Sequence, residues 1–278
     1  MSIVSETREV IASRELLGNL TRRELRSKYK GTVLGWAWSL INPLATTVIF
    51  TIVFSVIMKV DPPVGASGIK NYSLFLLCGL LPWNFLATVV QGGQMVLLNN
   101  ANLINKTYFP RRLLIVAHVA ASFVSFIIEM IVLAAIFLAF GVNVLPWIPL
   151  VLVFMLLLAV FALGLALALS VANVYFRDVA HFVALFMQLW FYASPIIYPI
   201  TLISTAENGS SWASHLPLTE LYRLNAVVDF VEPVRDMFYS GTWPRPALAA
   251  VATLAAAVTL VLGNLVFRRL EPRLAEEL

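Results

Sequence analysis

The sequence predicts an all-α integral membrane protein with six transmembrane helices, an N-terminal amphipathic interface helix, and re-entrant helices between spans five and six. Hydrophobic residues make up 60% of the 278 residues and charged residues only 12%, about half the charged share of an ordinary soluble domain. The mean hydropathy is +0.86. The apolar residues gather in runs of roughly 20, the length that crosses a bilayer as a helix. Little of the chain therefore remains for a soluble catalytic domain.

The N-terminal segment, residues 1–31, is predicted to be cytoplasmic and to carry the interface helix. It lacks the continuous apolar stretch of a cleavable signal peptide. On a helical wheel, its basic residues cluster within an arc of about 100° and apolar residues occupy the rest. The basic residues are Arg22, Arg23, Arg26 and Lys30, and the apolar ones are Leu16, Leu17, Leu20, Leu25 and Tyr29, with Lys28 interrupting the pattern. Such a helix suits the membrane interface, either as a simple anchor or as a dock for a partner or a lipid-linked substrate.

Residues 32–278 are predicted to form the six-span transmembrane domain. The second span is interrupted at Leu81-Pro82-Trp83 and the fifth breaks at Ser194-Pro195, because proline cannot continue a regular helix. The predicted spans cover approximately residues 33–58, 73–98, 113–140, 147–172, 182–194 and 247–267.

The segment between spans five and six, residues 195–245, predicts re-entrant helices at the outer face. It is long, moderately polar and partly apolar, and the stretch 190–199 that leads into it has two prolines four residues apart. Pieces such as 218–231 could form short helices that dip back into the membrane. Irregular backbone at that depth is tolerated only when it is buried in protein or lines a cavity. The broken fifth span therefore indicates a conduit.

The distribution of basic residues predicts that both termini are cytoplasmic. With both termini on one side, that side holds fourteen of the nineteen Lys and Arg residues, including those of the tail 268–278, and the opposite side holds five. The basic pI of 9.3 is then a topology signal that also suits anionic lipid headgroups. Nucleic-acid binding is not expected, because no nucleic-acid-binding fold accompanies the charge.

Cysteine and histidine usage argues against redox and metal chemistry. The single cysteine, Cys78, lies in an apolar run and is predicted to be a small buried hydrophobe. The three histidines are scattered, and no two have metal-ligand spacing. No metal site is expected.

A cytoplasmic loop at residues 99–112 is too short for a domain and too patterned for a passive link. Its apolar and aromatic residues are Leu103, Ile104, Tyr108 and Phe109, and its basic residues include Lys106, Arg111 and Arg112. A short helix with such residues could seat in a groove of another protein. The other interpretation is packing on the membrane surface with the basic residues as anchors, and the loop taken alone favours this second interpretation.

Aromatic residues collect near the predicted spans. An interfacial belt of Trp and Tyr explains many of them. The functional interpretation is a passage lined with rings on which the C–H faces of sugars stack, since conduction requires contacts weak enough to release the cargo. These aromatic residues are Trp36, Trp38, Trp83, Phe85, Trp190, Phe191, Tyr192 and Tyr198.

The spans contain little that could power transport. Only Glu129 is clearly ionisable at the middle of a span. A secondary transporter would show more intramembrane charge, so an external energy source is expected. The chain has no G-x-x-x-x-G-K-[ST] loop, so ATP-driven transport would need a motor on a separate polypeptide.

Three motifs resemble those of type-2 ABC exporter permeases, in particular the polysaccharide branch that exports O-antigen, teichoic acid, capsule or galactan. Residues 22–43 (RRELRSKYKGTVLGWAWSLINP) resemble its first-span entry, 103–111 (LINKTYFPR) its coupling loop, and 190–199 (WFYASPIIYP) its fifth-span signature. The resemblance covers nearly the whole chain. It implies a non-enzymatic homodimeric subunit in the bacterial cytoplasmic membrane, two ATPase partners that bind ATP and Mg²⁺, and a polyprenyl-diphosphate-linked glycan as cargo. No cofactor is expected in this chain.

The resemblance also implies roles for particular residues. The residues that would receive the ATPase stroke are Asn105, Lys106, Tyr108, Phe109, Pro110 and Arg111. The residues expected to attract the diphosphate as the lipid-linked glycan approaches are Arg26, Lys28 and Lys30. The aromatic residues expected along the conduit are Trp36, Trp38, Phe85, Trp190, Tyr192 and Tyr198. No residue is expected to be catalytic.

Two other functions remain open at this point. A type-2 ABC permease for a smaller lipid or drug cargo would have the same architecture. An intramembrane enzyme acting on polyprenyl lipids would need clustered acidic residues or histidines at the membrane face. The cytoplasmic loops offer only Asp178 with Arg177 and His181, which resembles local anchoring more than a catalytic centre.

Overall fold

Every described residue that adopts regular structure is helical. The computed structural model describes residues 13–31, 33–35, 37–59, 64–65, 68–106, 109–200, 202–203, 207, 222 and 224–277. The α-helices are α1 (Arg14–Tyr29), α2 (Ala37–Thr51), α3 (Tyr72–Gly93), α4 (Val96–Asn99), α5 (Ala101–Lys106), α6 (Arg112–Ala139), α7 (Ile148–Tyr175), α8 (Val179–Tyr192), α9 (Val228–Val234), α10 (Pro246–Leu270) and α11 (Leu274–Glu277). Two π-helical stretches, Ile52–Ile57 and Arg235–Ser240, continue α2 and α9, and 3₁₀ turns occupy Leu145–Trp147 and Glu271–Arg273.

Five of these helices are long and apolar enough to cross a membrane, so the chain is a multi-pass membrane protein. They are Leu40–Ile57, Tyr72–Gly93, Arg112–Ala139, Leu145–Tyr175 and Pro246–Leu270, and we call them spans one, two, three, four and six. Span five, α8, has 14 residues. It is therefore about 21 Å long, against a hydrocarbon core of about 30 Å. The prediction of six full spans is thus confirmed for five, and the remaining helix is short because it ends before Ser194-Pro195.

The predicted interruption of span two is wrong. The helix runs from Tyr72 to Gly93 without a break and contains Pro82. A proline inside a helix removes one backbone donor, and neighbouring helices in a membrane domain hold such a helix together. Residues 81–83 are all buried in those contacts.

Span two is the centre of the bundle. In its most apolar window 78% of the residues are buried, against 11% in span one and 28% in span six. It packs against spans three and four, and spans four and six form the most extensive helix pair among the described residues. Spans one and six consequently leave most of their surface uncovered within this chain.

The close contact of spans four and six depends on two glycines. A Cβ atom on Gly263 would lie 2.0 Å from the carbonyl oxygen of Gly164, and one on Gly164 would lie 2.3 Å from the carbonyl carbon of Thr259. Cβ atoms in protein structures essentially never lie this close to other non-bonded atoms. Small residues let membrane helices approach closely, where dispersion contacts replace the hydrophobic effect as the driving force.

Both described ends of the chain lie at the same end of the bundle, here called the termini end. Arg23 Nη2 in α1 donates to Asn100 Oδ1 at 3.0 Å, and Arg111 Nη1 donates to the carbonyl of Glu271 at 2.8 Å. The opposite end, here called the far end, carries the start of span two and the residues that follow span five.

Candidate functional site

A cationic surface lies at the C-terminal end of α1, directly before span one. The side chains of Arg26, Lys28 and Lys30 are exposed there. The opposite side of α1 packs against span three and buries Leu20. Cations at a helix C-terminus interact favourably with the helix dipole. The amphipathic helix forms where the sequence predicts it, and it presents basic side chains suited to phosphate at the termini end.

The loop at residues 99–112 contains the short helix α5, which has a buried side and an exposed side. Ile104 is buried and Leu103 packs against the core, so the interpretation in which these two residues enter a groove of another protein is wrong. Asn105 and Lys106 are exposed and form the outward surface of the helix. Tyr108 lies outside the described residues.

The end of the loop at residues 99–112 is bonded to the end of span six. Phe109, Pro110 and Arg111 are half-buried, and Arg111 makes the bond to Glu271 described above. Arg112 lies 3.6 Å from the Glu271 carboxylate and 5.5 Å above the centre of the Phe267 ring. Charged and aromatic contacts therefore connect the end of this loop to span six.

The aromatic residues predicted along the conduit fall into separate environments. Trp38 is 42% exposed and Tyr192 is 57% exposed, whereas Trp190 and Tyr198 are half-buried. Phe85 is only 3% exposed and stacks on Phe126 with ring centres 4.7 Å apart. In this subunit Phe85 is thus a packing residue and does not face an open surface. Trp36 lies outside the described residues.

Spans one and five form an open apolar face. The rings of Phe50 in span one and Phe191 in span five stack with centres 6.3 Å apart, which joins the two helices. Exposed apolar side chains continue along both helices; they include Leu44, Val48, Ile52, Val56, Phe182, Leu185 and Leu189. An open cavity of about 470 Å³ lies between spans two, four and five, and every residue that lines it is apolar or aromatic. Such a surface suits hydrocarbon or another apolar helix.

The chain after span five is organised by hydrogen bonds that the sequence did not predict. Trp190 Nε1 donates to Asn225 Oδ1 at 2.8 Å, so this conduit candidate is held by a polar residue of the segment after span five. Tyr198 Oη donates to the carbonyl of Tyr192 at 2.8 Å and lies 2.9 Å from Tyr222 Oη. Burial and the bond to Tyr222 raise the pKa of Tyr198.

Arg235 is the largest departure from the sequence-based expectations. The charge count treats it as one of five basic residues on the outer side, yet its side chain is only 3% exposed. It lies in the π-helical continuation of α9 and contacts the backbone after span five. A buried arginine cannot be distinguished from a surface arginine by composition or charge distribution.

Acidic, histidine and cysteine side chains do not gather into a cluster among the described residues. No group of three or more His, Cys, Asp or Glu side chains that could hold a metal lies among them. Arg177, Asp178 and His181, the only set considered for an enzyme, are all exposed at the turn between spans four and five.

Comparison with known proteins gives consistent matches along the chain. The family model described as ABC-2 type transporter matches residues 15–219. The O-antigen export system permease protein RfbA of Myxococcus xanthus is 30% identical over 251 residues, which are 89% of this chain and 90% of that protein. Two proteins of the same description from Klebsiella pneumoniae are 29% and 28% identical over 266 and 263 residues, and each alignment covers 94% of both chains.

Proposed function

Because the chain belongs to the ABC-2 type transporter family, we propose that it is the permease subunit of an ATP-driven exporter that carries a lipid-diphosphate-linked polysaccharide across the bacterial cytoplasmic membrane. The observation that carries the proposal is the alignment, over 94% of the chain, with permeases named for O-antigen export. The chain is a transport subunit. In this proposal ATP and Mg²⁺ bind to a separate ATPase chain, in keeping with the missing phosphate-binding loop.

The termini end faces the cytoplasm in this proposal. Fourteen of the nineteen Lys and Arg residues then lie on the cytoplasmic side, as the positive-inside rule requires. The cationic end of α1 lies at the cytoplasmic leaflet, where a lipid-linked cargo is assembled. Anionic lipid headgroups in this leaflet also attract the basic residues of α1.

The cargo enters by way of its diphosphate. Arg26, Lys28 and Lys30 attract the diphosphate by charge-assisted hydrogen bonds while the lipid tail remains in the bilayer. The apolar cavity between spans two, four and five is lined by residues that a hydrocarbon tail can contact as it passes. The glycan then leaves the membrane surface and enters the passage.

Two copies of the chain enclose the passage. Only 11% of the residues in span one are buried within one subunit, and its uncovered apolar residues continue onto span five. A second copy covers part of this surface, and the glycan contacts Trp38, Tyr192, Trp190 and Tyr198 along the way. Trp36 belongs to the same proposed set of conduit residues. Phe85 does not contact the glycan in this proposal; it contributes to the packing of span two.

The ATPase partner acts on the coupling loop. Asn105 and Lys106 provide the exposed contact, together with Tyr108, and the half-buried Phe109, Pro110 and Arg111 pass the displacement to the spans. The bond from Arg111 to Glu271 adds a route to span six.

The first test measures cargo recognition. The chain is purified with its ATPase partner in proteoliposomes, and ATPase stimulation by a polyprenyl-diphosphate-linked glycan is titrated. Replacing Arg26, Lys28 and Lys30 together by Gln should raise the half-stimulating concentration about a hundredfold, since each basic residue near an anionic surface contributes about 1 kcal/mol and the three together about 3 kcal/mol. Arg177→Gln removes an exposed charge at the same end and should change nothing.

Other outcomes of that titration identify the rival functions. Stimulation by drugs or single-chain lipids, with no response to the glycan, would assign a smaller cargo. Chemical turnover of a polyprenyl lipid by the chain without any ATPase partner would assign an enzyme and overturn the proposal.

The second test concerns coupling. Lys106→Ala, Phe109→Ala and Arg111→Ala should leave ATP hydrolysis running while glycan export falls at least severalfold, because the stroke no longer reaches the spans. Arg245→Ala, an exposed basic residue at the far end, is the matched control. Normal export by the three variants, at normal levels of assembled complex, would remove this loop from the mechanism.

A further inference from the structure

The backbone between span five and residue 198 is irregular, yet its carbonyl groups are fully used. The carbonyls of residues 192, 193, 195, 196 and 197 each accept a hydrogen bond from a side chain. The carbonyl of Ser194 accepts from the backbone N–H of Ile196 at 2.7 Å. We call residues 193–198 the break segment. Residues 194–197 are buried, and acceptors with partners are what non-helical backbone needs where water is excluded.

Arg235 supplies two of these bonds. Its Nη1 donates to the carbonyl of Pro195 and its Nη2 to the carbonyl of Ile196. The guanidinium also pairs with Glu232 at 3.1 Å and lies 4.0 Å from the centre of the Phe75 ring in span two. The planar fork of an arginine can hold two adjacent carbonyls at once, which a lysine ammonium cannot do in the same geometry.

Span two leaves space for this guanidinium at one glycine. A Cβ atom on Gly79 would lie 2.6 Å from Arg235 Nη2. Any larger residue at position 79 would therefore displace the head of the arginine from its two carbonyls. The glycine and the arginine form a matched pair across two elements.

Asn225 supplies the second attachment. Its Nδ2 donates to the carbonyl of Ala193 at 3.2 Å and to Ser194 Oγ at 2.8 Å. Its Oδ1 accepts from Trp190 Nε1 at 2.8 Å and from the backbone N–H of Val227 at 3.1 Å. Asn225 therefore connects the end of span five, the break segment and the start of α9. The π-helical continuation of α9 carries Arg235.

We propose that Arg235 and Asn225 are positioning residues that fasten the break segment to α9, so that the two move as one body and close the far end of the passage between transport cycles. Two independent attachments, one at residues 193–194 and one at residues 195–196, remove its freedom to rotate about either one. The rigid connection follows from the geometry alone, whereas its role in closing a passage rests on the proposed function.

The rigid connection is tested by distance measurement. Spin labels are placed at Gln188→Cys in span five and Thr242→Cys after α9, both at exposed positions, in one of the two copies of the complete complex with its ATPase. The native Cys78 is buried and should remain unlabelled. Unaltered protein should give one narrow distance distribution. Arg235→Lys should at least double its width, because a single ammonium cannot hold both carbonyls, whereas Arg245→Lys at an exposed site should not change it.

Closure is tested in the same preparations without ATP. Proteoliposomes with Arg235→Lys should leak a small trapped solute at least severalfold faster than unaltered protein, although the complex elutes as an intact assembly. An unchanged distribution and an unchanged leak in Arg235→Lys would overturn the proposal. A broad distribution with an unchanged leak would overturn the closing role alone.

Two further variants keep the test decisive if Arg235 variants fail to assemble. Asn225→Ala removes the second attachment and should also broaden the distribution. Gly79→Ala should displace the guanidinium without altering Arg235, and its matched control is Gly18→Ala, where an added Cβ meets no atom within 4 Å. A narrow distribution in both Asn225→Ala and Gly79→Ala would refute the fastening. Failure of the unaltered complex to export glycan, with the distance pattern as expected, would instead refute only the proposed function.

Discussion

Phe85 and Tyr192 belong to the same residue class and to the same predicted conduit set, but their surroundings differ. Phe85 is enclosed by span two and the rings of Phe123 and Phe126 in span three, whereas more than half of the Tyr192 surface is open. An apolar run shows that a ring lies within a membrane helix, but not which side of the helix it occupies when all sides are apolar. The sequence therefore predicts which aromatic residues lie in the spans, but it does not predict which of them are buried in the bundle and which are exposed.

Truncation should separate these two rings. Phe85→Ala should lower the free energy of unfolding by about 3–5 kcal/mol, since it removes a buried ring and leaves a cavity. Tyr192→Ala should change stability little, because that side chain is exposed. Thermal unfolding in detergent measures the difference. Equal losses for both variants would show that Tyr192 is covered, for example by a second copy of the chain.

Charged and polar residues were the least predictable part of the site. Cys78 is buried as expected, because a lone cysteine in an apolar run has few alternatives. Arg235, Asn225 and Tyr72 hold the break segment, but each is separated from its partners there by at least 31 positions in the chain. No local pattern connects residues at such separations.

The helices were predicted closely where an apolar run ends in polar residues. Span three was expected at 113–140 and occupies Arg112–Ala139, and span six was expected at 247–267 and occupies Pro246–Leu270. The error at Pro82 has a different origin. Proline disfavours a helix locally by the loss of one donor, but burial of span two on all sides outweighs that local preference.

The close contact between spans four and six should not tolerate a residue larger than glycine at position 263. Gly263→Ala should destabilise the protein by about 3 kcal/mol, at the upper end of the usual cost of overpacking, because the new methyl group meets backbone atoms that cannot rotate away. Gly18→Ala in α1 should instead stabilise it by up to about 1 kcal/mol, since alanine favours helix and finds open space. Thermal unfolding midpoints in detergent compare the two. A stable Gly263→Ala would mean that the helices can separate at little cost.

The whole molecule has two distinct ends and an uncovered lateral surface. Basic residues predominate at the termini end, whereas tyrosine, tryptophan and buried polar side chains organise the far end. Spans one and six are mostly uncovered within one subunit, which fits the lipid and the second copy in the proposed function. The number of subunits and the cargo do not follow from one chain, because both depend on contacts outside it.

Labelling with a membrane-impermeant maleimide tests the orientation. Cys78 is 0% exposed, so the unaltered protein should not react and serves as its own background. In spheroplasts, Trp243→Cys at the far end should react from outside, since this residue is 78% exposed. Lys106→Cys should react only after permeabilisation. The reverse pattern would place the termini end outside the cell.

The bonding around residues 193–198 also limits how this protein can be recombined with its relatives. The donors that hold these residues come from span two, from position 225 and from position 235, at separations of up to 125 residues. In a chimaera that exchanges only the stretch after span five, the carbonyls of the new segment would meet hydrogen-bond donors from the original protein. Such a chimaera would assemble poorly even if every exchanged residue were compatible with lipid. These positions are scattered along the chain but depend on one another, so they should be retained or exchanged together. Recombination breakpoints between related proteins should therefore not separate them.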